Sequence, residues 1–313
     1  MPVEVLMDPV ILDLGYFKVH WYGLITALAL AIATWMTCPL AKKYKLDSFF
    51  IPLLLLCIPI AVLGGRLYDV IVSRDAMYWE HPLTIIGIGP TEFGLSGLSI
   101  QGAYLCAMIT GWLFCRRYRI SFLRITDIAA PGLLLGEAIG RWGNFINQEA
   151  YGSPVPRSFL EDLLLPDWLI EGMYIRGEYH HPTFLYQSLW NILGVGVLLA
   201  LFRFAPKLRR GEIFFSAFLW YALGRFYIEG LRMDSAVYEA PSWIVNLFTT
   251  LWSPLNTWFH PPTIGENSIR LPQLFSVLEF VGFLGVWIGR RCAGLTEWEQ
   301  CGSREKKNPP KPT

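Results

Sequence analysis

With 313 residues, 53% hydrophobic content and a mean hydropathy of +0.39, the chain is too apolar for a single soluble core and too interrupted for a single membrane anchor. Its formal net charge of +1 averages basic connections against acidic ones and so points to no partner. These figures exclude an ordinary soluble enzyme and predict an all-α, polytopic integral membrane protein.

Apolar windows of about 18 to 23 residues, long enough to cross ~30 Å of hydrocarbon, fall at 19–38, 49–71, 97–115, 125–145, 183–203, 213–231 and 273–290. They predict seven transmembrane helices. Glu4, Asp8 and Asp13 precede the first window where a cleaved signal peptide would be positive, so this segment is expected to stay. The window opens on Val19-His20-Trp21-Tyr22-Gly23, whose default reading is an interfacial aromatic anchor.

The second window carries Gly64-Gly65-Arg66 with Asp69 one turn later, which fits a structural ion pair and a functional arginine equally well. The third opens on Gly97-Leu98-Ser99-Ile100-Gln101-Gly102. The fourth ends in the densest polar run of the apolar chain, Gly140 to Gly152, which contains Arg141, Asn144, Asn147, Gln148 and Glu149. On a helix Arg141, Asn144 and Gln148 share a face, and Glu137 lies one turn before Arg141. A buried Glu137–Arg141 pair with amide bonds between helices is the structural alternative. The two asparagines and the second acid exceed what one arginine needs.

Before the fifth window, His180-His181-Pro182 resembles a metal-ligand pair, but adjacent histidines seldom converge and no HExxH spacing follows. A helix start with Pro182 in its first turn explains them more simply. In the sixth, Tyr221, Arg225, Glu229 and Arg232 form one stripe, readable as a ligand-binding face or as an Arg225–Glu229 salt bridge with Arg232 reaching outward. The six cysteines show no CxxC spacing and fall in helices or on the basic side, which predicts free thiols.

Basic residues mark one set of connections: Lys42, Lys43 and Lys45; Arg116, Arg117, Arg119 and Arg124; Arg203, Lys207, Arg209 and Arg210; and the tail from Arg290. The opposite connections are acidic and aromatic. This asymmetry predicts an extracytoplasmic N-terminus and a cytoplasmic C-terminus. Residues 1–290 then form a transmembrane catalytic domain, with extracytoplasmic cap loops of irregular structure at about 146–182 and 232–272. Residues 291–313 form a basic, disordered cytoplasmic tail.

Arg66, Arg141 and Arg225 lie about 13 to 17 residues from the inner ends of three helices that run the same way. At 1.5 Å per residue that is roughly 20 to 25 Å up the slab, in one outer layer. A guanidinium costs at least ~2.5 kcal/mol at the centre of a lipid-facing helix, so three of them call for an anion or a water-filled cavity. The planar fork suits a phosphate, and in a membrane the available phosphate is a phospholipid headgroup.

The run 140–152, the Tyr221 to Arg232 stripe, His181-Pro182-Thr183 with Leu185-Tyr186, and Trp21-Tyr22-Gly23 together resemble the prolipoprotein diacylglyceryl transferase family, in order from about residue 15 to 234. The resemblance implies an enzyme of the bacterial inner membrane that moves the diacylglyceryl group of phosphatidylglycerol to the lipobox cysteine of a prolipoprotein, releasing glycerol 1-phosphate. Its partners would be that lipid, the lipobox peptide and surrounding membrane lipids, with no metal, organic cofactor or nucleic acid.

By the same resemblance Arg141 and Arg225 serve phosphate binding and catalysis. Asn144, Asn147 and Glu149 orient the headgroup or the guanidiniums, and Tyr22 and Tyr221 close the pocket. Arg66, Glu229 and Arg232 complete the lipid site. Where many family members carry a histidine and two glycines, proposed as the base for the thiol proton, this chain has Gln101-Gly102-Ala103. Glutamine does not titrate, so Gln101 is read as a hydrogen-bonding pocket residue, with Tyr221, Glu149 or unaided ionisation of the thiol taking the base's place. The rival readings are a transporter, which would favour repeated halves and broken helices, and a phospholipid-binding homologue without turnover.

Overall fold

The computed structural model describes residues 9–293 apart from 17, 74–75, 90–98, 206–207, 257, 260, 263 and 266. The expectations placed on Glu4, Asp8, Gly97, Leu98, Lys207, the sixth cysteine Cys301 and the tail beyond 293 lie outside the described residues.

A hairpin of β1 (Val10–Asp13) and β2 (Lys18–His20) leads into α1 (Trp21–Lys43). Lys45, in left-handed backbone, turns the chain into α2 (Asp47–Ser73), and a short α3 (Ala76–Glu80) with a 3-10 turn at Pro82–Ile86 follows. Next come α4 (Ile100–Arg117) and α5 (Phe122–Ile146), then β3 (Pro154–Val155), α6 (Arg157–Asp162), α7 (Asp167–Gly172), β4 (Tyr174–Ile175) and β5 (Glu178–His180). After α8 (Thr183–Phe204) and α9 (Glu212–Glu229), a second insertion of β6 (Val237–Glu239), α10 (Ser242–Trp252) and β7 (Ser268–Arg270) precedes α11 (Leu271–Cys292).

A helix occupies most of the described part of each of the seven apolar windows. Four helices, α1, α2, α8 and α11, are both long and apolar enough to cross a membrane by length and composition. α4, α5 and α9 occupy the remaining windows but are less apolar because they carry the polar residues of interest. Large side chains such as Trp35 (78% exposed) and Leu55 (69%) project from the long apolar helices, a surface that water disfavours and lipid accepts.

α5 sits centrally against α1, α8 and α9, α9 packs on α11, and α2 packs on α4. The α2–α4 seam depends on glycine: a Cβ on Gly65 would lie 2.9 Å from the Ser99 carbonyl oxygen. At the basic end Ile128, Leu134, Leu198, Ile213 and Phe50 form the largest core. There the fully buried carboxylate of Asp127 on α5 accepts from the amides of Gly211 (2.6 Å) and Phe214 (2.9 Å), capping α9 from a neighbouring helix.

The two insertions correct one expectation. Instead of purely irregular loops they hold short strands and helices, with β3-β5-β4 as one small sheet and β6-β7 as another. Each has its own core, one around Leu160, Ile170 and Phe145 and one around Phe226, Phe248 and Trp252. Arg157 ties the first together through Glu161, Glu171 and the Tyr179 hydroxyl.

Candidate functional site

Two features bring the site helices into register. Trp190 of α8 and Trp220 of α9 stack with ring centroids 4.4 Å apart, and each indole N–H donates to the other's backbone carbonyl at 2.9 and 2.8 Å. Gly194 and Gly224 lie under these rings, where a Cβ would collide, so the reciprocal clasp needs glycine at both places. The second feature is a stitch at the capped end. Gly152 N donates to His181 O (3.0 Å), Ser153 N to Leu231 O (3.0 Å) and Met233 N to Tyr151 O (3.3 Å), binding the chain after α5 to the start of α8 and the end of α9. A Cβ on Gly152 would sit 2.6 Å from that of His181, so the close approach excludes any other residue.

Between these anchors lies a narrow cleft of about 10 Å³, lined by Arg141 and Asn144 of α5, Ala150, Thr183 and Gln187 of α8, and Arg225 and Arg232, with Phe184 and Ile228 as apolar wall. Three guanidiniums thus face one space. Arg141 pairs with Glu137 on its own helix and reaches Asn144 Oδ1 at 3.5 Å. Arg225 pairs with Glu229 at 2.7 Å. None of the partner carboxylates lines the cleft, so its surface is cationic although each arginine is individually compensated. The structural alternatives raised by the sequence, the Glu137–Arg141 and Arg225–Glu229 pairs, are both present, and they act as supports that hold the guanidiniums toward a common cavity.

Glu229, 1% exposed, is the hub of the α9 end. It accepts from Arg225, from Arg232 (3.4 Å) and from the Ser235 hydroxyl (2.6 Å). Arg232 turns inward, with a bidentate grip on Asp234 at 2.9 and 2.8 Å. Partial burial alone would raise the Asp234 carboxyl, but the hydrogen bonds and charge of Arg232 outweigh it and hold the group below the usual carboxylate range.

Glu149 takes the Asn144 amide at 2.7 Å and that of Asn147 at 3.4 Å, forming an exposed rim beside the cleft. Tyr22 packs on Gly143, where a Cβ would stand 2.6 Å from its ring. Tyr22, Tyr104 and Tyr221, from α1, α4 and α9, all lie within electrostatic reach of Arg141. Beyond Asn147 a wider cavity of about 370 Å³ opens among Ile146, Gln148, Tyr151, Ile175 and Arg176.

Several expected residues stand elsewhere. Arg66 does not line the cleft; it is buried at the α2 end, donating to Ile85 O (3.2 Å), Thr84 O and the Tyr78 hydroxyl (3.1 Å), and Tyr78 in turn donates to Asp69 (2.8 Å). Gln101 is exposed at the start of α4, accepting from Ser99 at 2.7 Å, and is not among the lining residues. Gln148 leaves the Arg141–Asn144 face, because α5 ends at Ile146 and Gln148 adopts φ of 50°, donating to Gly172 O at 3.3 Å. His180 and His181 hold the first insertion: the ring nitrogens of His180 approach Gly152 O and Ile175 O, and His181 meets the Tyr186 hydroxyl. Among the described residues no three His, Cys, Asp or Glu side chains converge as metal ligands, and the described cysteines are free. Thr183 and Gln187 escaped selection from the sequence, although two polar residues four apart at the start of an apolar window are a readable signal.

A sequence model of the prolipoprotein diacylglyceryl transferase family matches residues 9–289. Relatives named phosphatidylglycerol--prolipoprotein diacylglyceryl transferase occur in Bacillus cereus strain G9842 and Bacillus thuringiensis subsp. konkukian strain 97-27, each 48% identical over 230 residues. A third, from Bacillus anthracis strain CDC 684 / NRRL 3495, is 47% identical over the same length. Each alignment covers 73% of this chain and 82% of the relative. With the family match spanning nearly the whole described chain and including the arginine cleft, this protein belongs to the prolipoprotein diacylglyceryl transferase family.

Proposed function

We propose that this chain transfers the diacylglyceryl group of phosphatidylglycerol to the lipobox cysteine of a prolipoprotein. The observation that carries the reading is the convergence of Arg141 and Arg225, from two helices, on one cleft that no carboxylate lines among the described residues. The cysteine thiol gives up its proton and its sulfur attacks the glyceryl carbon bonded to the phosphate oxygen. A C–S bond forms, the C–O bond breaks, and glycerol 1-phosphate leaves with the electron pair. Charge on the phosphate grows from about −1 toward −2, so preorganised guanidiniums bind the transition state more tightly than the bound lipid.

In this reading Arg141 and Arg225 hold the phosphate, Glu229 fixes both Arg225 and Arg232, and Asn144 with Asn147 and Glu149 orients the headgroup at the rim. Tyr22 and Tyr221 flank Arg141. The thiol proton goes to Glu149 or to water, the thiol's ordinary pKa near 8.5 leaving a few per cent as thiolate at neutral pH. Arg66 and Gln101 are assigned to the α2–α4 side and not to the phosphate.

We further infer seven membrane crossings in an inner membrane, with an extracytoplasmic N-terminus and a cytoplasmic C-terminus. The basic end, with Lys42, Arg116, Arg203 and Arg290, supports the orientation. Residues 1–290 then act as the catalytic domain, with the insertions at 146–182 and 232–272 as an outer cap and 291–313 as a basic tail.

The test is release of glycerol 1-phosphate by purified protein in detergent given phosphatidylglycerol and a lipobox peptide. Release that requires the peptide's cysteine is expected. Lipid binding without release would favour a non-catalytic lipid-binding protein, and substrate flux in sealed liposomes would favour a transporter.

A further inference from the structure

Gln187 is 1% exposed and lines the arginine cleft, one turn after Thr183 on α8. Its amide nitrogen donates to Asn191 Oδ1 at 3.1 Å, farther along the helix and outside the cleft. Its amide oxygen is buried and meets no hydrogen-bond partner among the described residues. A buried acceptor left unmade is costly, and one that lines a cleft is placed to be completed by a water, an ion or a ligand bound there. Asn191 Nδ2 beside it also lacks a partner among the described residues, and the charge of Arg141, Arg225 and Arg232 favours the negative end of the Gln187 amide dipole toward the cleft.

We propose that Gln187 reads the alcohol of the lipid headgroup, its free oxygen accepting a hydrogen bond from a glycerol hydroxyl while Arg141 and Arg225 hold the phosphate. This rests on the function proposed above and adds the choice among phospholipids. A headgroup without a hydroxyl leaves the oxygen buried and unpaired, the kind of loss by which sites built for a hydroxyl reject analogues lacking one. An ethanolamine headgroup could offer an N–H, but it brings a cation beside three guanidiniums. Only an uncharged polyol satisfies both the arginines and the glutamine.

The experiment uses the full-length protein in detergent with a lipobox peptide and compares phosphatidylglycerol with phosphatidylpropanol of the same acyl chains, which keeps headgroup size and removes its hydroxyls. Wild type is expected to prefer phosphatidylglycerol by at least about tenfold in kcat/KM. Gln187→Met should bring that ratio within about twofold of one, chiefly through a higher KM for phosphatidylglycerol. Gln187→Glu, which retains an acceptor oxygen, should keep the preference and carries the test if the methionine variant does not fold. A methionine variant that keeps the wild-type ratio, a glutamate variant that loses it, or a wild type that uses both lipids equally would overturn the assignment. Lipid-induced shifts in Tm repeat the comparison without turnover. Headgroup preference in Tm with no transfer product would therefore count against the transferase reading while supporting the role of Gln187, and equal shifts in wild type would overturn that role.

Discussion

Arg225 and Glu229 face each other one helical turn apart at 2.7 Å, and the carboxylate is almost fully buried while the guanidinium reaches into the cleft. The pair is asymmetric: Glu229 also takes Arg232 and Ser235, so it anchors two arginines at once. Glu229→Gln keeps the shape but removes the charge that compensates both. Breaking a buried pair from one side costs about 3 kcal/mol, so a clear fall in Tm is expected in detergent, with reduced lipid turnover. An unchanged Tm would show that Asp234 suffices as the partner of Arg232.

Arg141→Ala and Arg225→Ala should each lower kcat by about 10² to 10³, the loss typical of removing one preorganised charge donor. Lysine at either position should restore little, because an ammonium lacks the bidentate fork. Steady-state rates of peptide modification decide this, and full activity in both lysine variants would contradict a bidentate role.

Gly143→Ala places a methyl group against the ring of Tyr22. Because the obstacle is a side chain near the surface of α1, the ring is expected to shift and the fold to survive. Activity should fall several-fold while Tm changes little. A large drop in Tm with unchanged activity per folded molecule would mean Tyr22 serves packing alone.

The Asp234 carboxyl sits below its ordinary value because Arg232 grips it. A depressed carboxyl contributes stability that is complete above its unfolded pKa of about 3.9 and is lost as pH falls through the lower folded value. Wild type should therefore exceed Asp234→Asn in Tm at neutral pH, with the gap closing only below about pH 4. A gap that closes between pH 5 and 7 would assign the effect to another group.

At the far end of the bundle, Asp127→Ala strips the cap from α9 and leaves two buried amides unpaired. A loss of about 2 kcal/mol is expected, read as a lower Tm with the KM for lipid unchanged in the folded fraction. Gln101→His, on the α2–α4 side, should leave turnover near the wild-type level.

Helices were legible at the seven apolar windows because a long apolar run favours one, and four of them are long and apolar enough to cross a membrane. Arg141 and Arg225 stood out as charges too costly to place in hydrocarbon without a partner, and Asn144 as an amide sharing the face of Arg141; all three line the cleft. Arg66 looked the same in sequence and stands apart, because its outcome depends on Tyr78 and the 82–86 turn, which no periodicity relates to it. Gln148 was misplaced by assuming that the helix continued, when left-handed backbone at Gln148 and Ala150 ends that run. Gln187 was passed over although its spacing from Thr183 was readable; its unpartnered oxygen and its neighbours in the cleft are properties of three dimensions. The small sheets of the cap were illegible for a similar reason, since strands of two or three residues leave no alternating pattern to detect.

The most direct measurement is the intact mass of a lipobox peptide after incubation with the purified protein and phosphatidylglycerol. A gain of one diacylglyceryl group on the cysteine, absent with the Arg225→Ala variant, is the expected result. A peptide of unchanged mass alongside protein that demonstrably binds the lipid would contradict catalysis by the arginine cleft.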